Sequence, residues 1–83
     1  MNSKAKEKVK RRLASIYGKK CLACGKIMPL SKLTLDHIVP LEQFGSDSIE
    51  NLQLLDYNCN QEKNNLHIDY RPFNPWKLPW ESI

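Results

Sequence analysis

The stretch LTLDHIVPLEQFGSDSIENLQLLDYNCNQEKNN, residues 33–65, decides the fold of this 83-residue chain. It opens with alternating apolar and β-branched residues, which are typical of a strand, and Pro40 ends that strand because proline cannot donate to a β-ladder. After a polar loop, the run NLQLL is again typical of a strand. The stretch therefore predicts a β–β–α unit, with a strand over Leu33–Ile38, a loop at 41–50, a strand at 51–55 and a helix over Tyr57–Asn65.

The residues before this stretch predict a basic helix over Lys4–Tyr17. Its apolar residues recur at spacings of three and four, which places them on one stripe of a helix, and lysines and arginines fill the other faces. Ser3 is the expected N-cap, and Gly18 is the expected stop. The apolar stripe consists of Val9, Leu13, Ile16 and Tyr17.

The residues after the stretch form a tail rich in proline and tryptophan, residues 67–83. We expect it to be an extended strap whose aromatic side chains pack on the body. The predicted fold class is α+β: a small ββα finger with an N-terminal basic helix, a cysteine knuckle and this strap. One domain is expected over 1–83, divided into the helix (1–18), the knuckle plus ββα core (21–66) and the strap (67–83).

The charge of the chain is unevenly distributed. Residues 1–26 contain nine Lys or Arg and one Glu, a net charge of +8, whereas residues 27–83 contain four cationic and eight acidic side chains, a net charge of −4. A basic arm on an acidic body suggests a polyanionic partner and a site that holds cations. The alternative is that the basic residues form a solvated helix face.

The composition is that of a globular protein, with 41% hydrophobic and 27% charged residues. No apolar run approaches the length of a membrane span, and the basic N-terminus lacks the apolar core of a secretory signal. We therefore expect a soluble, cytoplasmic protein without a membrane partner. Its core would be marginal, because a chain of this length buries a small share of its surface, and such domains usually need a staple.

Three cysteines suggest what the staple is. An odd number of cysteines in a reducing compartment argues against a disulfide framework and for metal binding. Cys21 and Cys24 form a C-x-x-C pair closed by Gly25, and Cys59 lies in DYNC, where Asp56 occupies the place of a fourth cysteine. We expect a structural Zn²⁺ held by these residues, with His67 as a second candidate for the fourth ligand.

The alternative for the cysteines is that they are small buried hydrophobes. In that case Asp56 would only cap the helix that follows, because aspartate is a favoured N-cap residue.

The same stretch carries a second set of candidate ligands. Asp36 and Asn60 offer oxygen atoms, which suit Mg²⁺ or Mn²⁺ and leave positions open for water and phosphate. Histidine is the usual general base near neutral pH, so His37 can take a proton from water. Considered alone, Asp36 and His37 would be interpreted as a capping aspartate and a core histidine. Their combination with the other candidate residues of this stretch reverses that interpretation.

With these motifs assembled, the chain resembles the HNH endonucleases of the ββα-metal superfamily, from Cys21 to about Lys63. The spacing of the polar residues is similar to that in the HNH domain of RNA-guided CRISPR nucleases. Asp56 departs from the pattern, because zinc-bearing relatives usually have cysteine there. The resemblance is carried by C-x-x-C at Cys21/Cys24, LDHIVP at 35–40, Gly45, ENLQLL at 50–55 and CNQEK at 59–63.

The resemblance implies a role for each matched residue. His37 would be the general base, Asp36 and Asn60 would hold the catalytic ion, and Asn51 would pin the loop, although asparagine is also an ordinary turn residue. Lys63 lies about one helical turn past Asn60, so it would contact a phosphate or be exposed to solvent. The basic helix lies outside the resemblance, and its charge predicts that Lys8, Arg11 and Arg12 bind the DNA backbone.

The resemblance implies a metal-dependent DNA endonuclease that nicks one strand or cleaves both. One alternative is a noncatalytic zinc-knuckle module that binds DNA, against which the joint presence of a base and two oxygen ligands argues. Another is a phage-encoded nuclease subunit that is active only inside a larger complex, such as one that packages DNA.

Overall fold

The computed structural model describes residues 1–77 and has the predicted α+β architecture. Three single-turn 3₁₀ helices interrupt the connections, and two of them lie in or at the end of the predicted polar loop at 41–50. The helices and strands are α1 (Ser3–Tyr17), β1 (Leu33–His37), β2 (Leu52–Asp56) and α2 (Tyr57–Lys63).

The two strands form an antiparallel hairpin in which Leu33 pairs with Asp56 and His37 pairs with Leu52. β1 ends one residue before the predicted Ile38, although the Ile38 N–H still donates to the carbonyl of Asn51 at 2.9 Å. Both helices contact both strands, so β2 is buried on both faces along most of its length. This burial explains why β2 has an almost continuous apolar sequence.

Helix α1 begins one residue earlier than predicted, because Asn2 and not Ser3 is its N-cap. The Asn2 side chain accepts a hydrogen bond from the Ala5 N–H at 2.8 Å. Gly18 ends the helix with φ of 95°, and its N–H donates to the Ala14 carbonyl. Leu13 is fully buried in the core, so the predicted apolar stripe faces the hairpin.

Helix α2 ends at Lys63, two residues before the predicted end. Asn64 follows with a positive φ of 51°, which asparagine tolerates better than most residues. The segment after it runs without helix or strand to a turn at 75–77. Phe73 packs on Tyr17 with ring centroids 5.2 Å apart, as expected of the strap, whereas Pro79 and Trp80 lie outside the described residues.

Within residues 1–77, none of the helices combines the length and apolar character needed to cross a membrane.

Candidate functional site

A cleft of about 390 Å³ lies where the end of β1, the loop after it and α2 meet. The hairpin register and the position of α2 bring three predicted site residues, Asp36, His37 and Asn60, to its walls. Glu42 and Asn64 line it as well. The cleft therefore gathers a carboxylate, an imidazole and an amide that are separated by up to 24 positions in the sequence.

Asp36 is 5% exposed, so its carboxylate needs partners to remain charged. Its Oδ2 accepts a hydrogen bond from Gln53 Nε2 at 2.9 Å and lies 3.1 Å from Lys63 Nζ. Gln53 is the residue that faces Asp36 across the hairpin. One carboxylate oxygen is thus held by the protein.

Lys63 is 1% exposed and does not reach solvent. In addition to its ion pair with Asp36, its Nζ donates to the carbonyl of His37 at 3.0 Å. The alternative of an exposed lysine is therefore wrong, whereas the contact of Lys63 with a phosphate stays a prediction. The physical reason is that a buried carboxylate requires a counter-charge, and α2 places this lysine against the end of β1.

His37 is held by a residue that the sequence did not single out. Its Nε2 lies 2.7 Å from Asp47 Oδ1 in the loop after β1. Because an ionised carboxylate can only accept, Nε2 carries a proton, and in the neutral imidazole Nδ1 is then the acceptor. The hydrogen bond from His37 holds the pKa of the Asp47 carboxyl below its usual value.

Asn51 fastens the loop that carries Asp47. Its Oδ1 accepts from the Val39 N–H at 2.9 Å, and its Nδ2 donates to the carbonyls of Val39 and Ser46. These three hydrogen bonds to backbone groups are the kind of contact that the resemblance implies for this asparagine. Asn51 therefore acts on the cleft through the loop and does not line it.

The side-chain amide of Asn60 is oriented by a hydrogen bond to β1. Its Nδ2 donates to Thr34 Oγ1 at 2.7 Å, and that hydroxyl donates to the Leu55 carbonyl. Among the described residues, the Asn60 Oδ1 atom has no hydrogen-bond donor. Asp36 and Asn60 both line the cleft, and a carboxylate oxygen with an amide oxygen is a hard donor set that fits Mg²⁺ or Mn²⁺ and does not suit a soft metal.

A second ligand cluster lies at the other end of the hairpin. The candidate ligand atoms of Cys21, Cys24, Asp56 and Cys59 all lie within 4.8 Å of one another. Zinc–sulfur bonds of about 2.3 Å in a tetrahedron separate the sulfur atoms by about 3.8 Å, so the cluster could hold a zinc ion. His67, the other candidate for the fourth ligand, is exposed and is not in the cluster.

Asp56 caps α2 and also lies in the ligand cluster. Its Oδ1 accepts from the Cys59 N–H at 2.7 Å and caps α2, while its Oδ2 lies 3.4 Å from the Cys24 sulfur. The two carboxylate oxygens therefore face different partners. Capping and metal binding are compatible at this residue.

The thiols of the cluster differ in how readily they ionise. Burial opposes ionisation of Cys21, but hydrogen bonds from the backbone at Asp56, Cys24 and Ala23 hold its pKa below the usual value. Burial is the main cause that raises the pKa of Cys59, and hydrogen bonds with the neighbouring thiols raise it further. Backbone groups that stabilise a thiolate at Cys21 would equally stabilise a thiolate bound to a cation.

The three residues of α1 that were predicted to bind DNA are exposed to solvent. Lys8, Arg11 and Arg12 are exposed, and the only ion pair that involves them in the described part of the chain is a loose contact of 3.8 Å between Arg11 and Glu7. Such an exposed pair stabilises the fold little. The three cations are therefore free to meet a polyanion.

Comparison with protein families agrees with this geometry. The model of the family described as HNH endonuclease matches residues 21–66, which is more than half of the chain. The match covers the cysteine cluster, the hairpin and α2, and it leaves α1 and the C-terminal segment outside. A search of curated proteins finds no match to the chain.

Proposed function

Because the chain belongs to the HNH endonuclease family, whose substrates are nucleic acids, we propose that it hydrolyses DNA phosphodiester bonds with the help of a divalent cation. The observation that carries the proposal is the cleft in which Asp36, His37 and Asn60 meet. His37 is the general base, and Asp36 and Asn60 hold Mg²⁺ or Mn²⁺.

The hydrogen bonds around His37 support its role. A proton on Nε2, held by Asp47, leaves Nδ1 as the atom that takes a proton from water. Asn51 keeps the Asp47 loop in place, so the imidazole is oriented before a substrate arrives. A bound divalent ion would supply positive charge against the charge that develops on the phosphate.

The two oxygen ligands are held differently. Asp36 is fixed on one side by Gln53 and Lys63, and Asn60 is fixed by Thr34. Only two protein ligands leave several positions for water and phosphate oxygens, which Mg²⁺ prefers.

The rest of the chain supplies stability and affinity. Cys21, Cys24, Asp56 and Cys59 hold a structural Zn²⁺ that ties the knuckle to the junction of β2 and α2. The Leu22 N–H, which donates to the Leu54 carbonyl at 3.0 Å, joins the same two parts. The exposed cations of α1 bind the DNA backbone without regard to sequence.

A plasmid nicking assay with Mg²⁺, Mn²⁺ and EDTA tests the proposal. We expect cleavage that needs the metal and that falls by about 10²–10⁴-fold in His37→Ala, since the general base is lost. His67→Ala is the matched control, because His67 is exposed and lies outside the cleft and the cysteine cluster. Equal cleavage by wild type and His37→Ala would refute the mechanism.

One observation favours a second function, a noncatalytic DNA-binding module. Lys63 already neutralises Asp36, so the carboxylate does not need a cation to be stable. In that case the protein would bind DNA through α1 and would fail to nick it with any metal. A nuclease that works only within a larger complex would behave in the same way until its partners were added.

A further inference from the structure

Gln53 is a fully buried amide in the middle of an apolar strand. It lies between Leu52 and Leu54 in β2, where an amide without hydrogen bonds would be costly. Each polar atom of the amide is satisfied. Its Nε2 donates to Asp36 Oδ2 and to the Ile68 carbonyl, and its Oε1 accepts from the Tyr70 N–H, each at 2.9 Å.

The backbone of the C-terminal segment fixes which end of the amide faces Asp36. The Tyr70 N–H can only donate, so it must meet Oε1, and the Ile68 carbonyl can only accept, so it must meet Nε2. An amide flipped by 180° would place its oxygen against the Asp36 carboxylate and its NH₂ group against the Tyr70 N–H. Both contacts would be repulsive.

The orientation of Gln53 in turn fixes the rotation of the Asp36 carboxylate. Oδ2 is held by Gln53 on one side and by Lys63 on the other, and the remaining oxygen has no hydrogen-bond partner among residues 1–77. A carboxylate held in this way does not have to be ordered when a cation binds. Loss of the amide would let it rotate and pair more closely with Lys63.

We propose that the segment Ile68–Tyr70 acts through Gln53 as a positioning device that sets the affinity of the Asp36 site for a divalent cation. The inference rests on the proposed function of the cleft. The segment lies outside residues 21–66, so this support is a feature of this chain beyond the part that matches the family.

Two substitutions remove hydrogen bonds between Gln53 and its partners, one at the side chain of Gln53 and the other at the backbone of Tyr70. Gln53→Met keeps the volume of the side chain but removes all three hydrogen bonds, and Tyr70→Pro removes the backbone donor. Tyr70→Ala is the matched control for the second variant, because it loses the same ring and keeps the N–H. All variants are compared as zinc-loaded full-length protein, with melting curves to show that each is folded.

The readouts are Mn²⁺ binding, followed by the electron paramagnetic resonance signal of free Mn²⁺, and the Mn²⁺ concentration that gives half-maximal nicking. Loss of a group that positions a ligand typically weakens metal binding by about 10–100-fold, so we expect this shift in Gln53→Met and in Tyr70→Pro. Tyr70→Ala should stay within about twofold of wild type, and excess Mn²⁺ should restore nicking by the two weakened variants.

The outcomes separate this inference from the proposed function. If wild type neither binds Mn²⁺ at the cleft nor nicks DNA, the proposed function fails and the inference fails with it. If wild type does both and folded Gln53→Met binds Mn²⁺ equally well, only the inference is overturned. If Gln53→Met and Tyr70→Pro are both unfolded, or if Tyr70→Ala weakens binding as much as Tyr70→Pro, the contacts are purely structural and the inference is also overturned.

Discussion

At the scale of single residues, some side chains at the cleft can be recognised from the sequence, and others cannot. Asp36, His37 and Asn60 stand in a recognisable spacing. Asp47 and Gln53 do not, because their roles depend on contacts across a loop and across a hairpin. Gln53 alone carried a signal that could have been noticed, since it is a polar residue in the middle of the apolar run NLQLL.

The ligand role of Asn60 is open to a direct test. Asn60→Ala removes the oxygen ligand, so we expect no nicking at ordinary Mg²⁺ concentrations. Asn60→Asp keeps an oxygen of similar reach and adds a charge beside Asp36, which should hold a cation at least as tightly. The added charge also offsets part of the ion's attraction for the phosphate, so we expect measurable activity that is greatest with Mn²⁺.

Metal titration of plasmid nicking measures both effects. Asn58→Ala is the control, since Asn58 is an exposed asparagine on the same helix and does not line the cleft. If Asn60→Ala cleaves at the wild-type rate with the wild-type metal dependence, Asn60 is only a helix residue and the assigned ion site is wrong.

At the scale of elements, the sequence predicts each helix and strand but misplaces several ends by one or two residues. Asn2 and Ser3 are both favoured N-caps, so the sequence cannot choose between them before the helix is packed. β1 ends at His37 because Ile38 turns into the loop that Asn51 fastens. The end of α2 depends on Asn64 adopting a positive φ, which most residues avoid.

The element that we expect to set DNA affinity is α1. Replacing Lys8, Arg11 and Arg12 by glutamine should weaken binding to unrelated DNA sequences equally. It should also reduce the slope of log K against log salt by up to about 0.9 for each lost phosphate contact. The matched control replaces three exposed lysines elsewhere, which changes the net charge equally: Lys26, Lys32 and Lys77.

Binding isotherms at several salt concentrations give the salt slope of the α1 variant and of the control variant. If the α1 variant keeps the wild-type salt slope, or if the slope falls equally in both variants, this face of α1 is only solvated. The proposed contact between α1 and DNA is then refuted.

At the scale of the whole molecule, a small core is built around the cysteine cluster. Cys21 is fully buried beside Leu13, Leu33 and Leu54, so one end of the cluster is part of the core. The sequence predicted this staple from length and cysteine spacing, because a chain of this size buries too little apolar surface to be very stable alone. It could not choose the fourth ligand, since Asp56 and His67 were both chemically suitable.

We therefore expect about one zinc ion per chain in protein purified without chelators, and a sharp fall of the melting temperature in Cys21→Ser. Elemental analysis and thermal melting provide the two measurements. His67→Ala should change neither, because His67 lies outside the cluster. A purified protein that is free of metal and fully folded would show that the cysteines are only packing residues.

Asp56→Asn separates the two tasks of Asp56. Asparagine is as good an N-cap as aspartate, so the substitution should keep the hydrogen bond from the Cys59 N–H and leave α2 capped. It removes the negative charge that faces the thiols and replaces a zinc-binding carboxylate by a weaker amide ligand. We expect zinc affinity to fall and the melting temperature of the zinc-loaded protein to fall with it, while the metal-free proteins melt alike. Competition with a zinc-sensitive dye and paired melting curves with and without chelator would measure this. If zinc affinity is unchanged, Asp56 is a helix cap alone and the ion is held by the three cysteines with water as the fourth ligand.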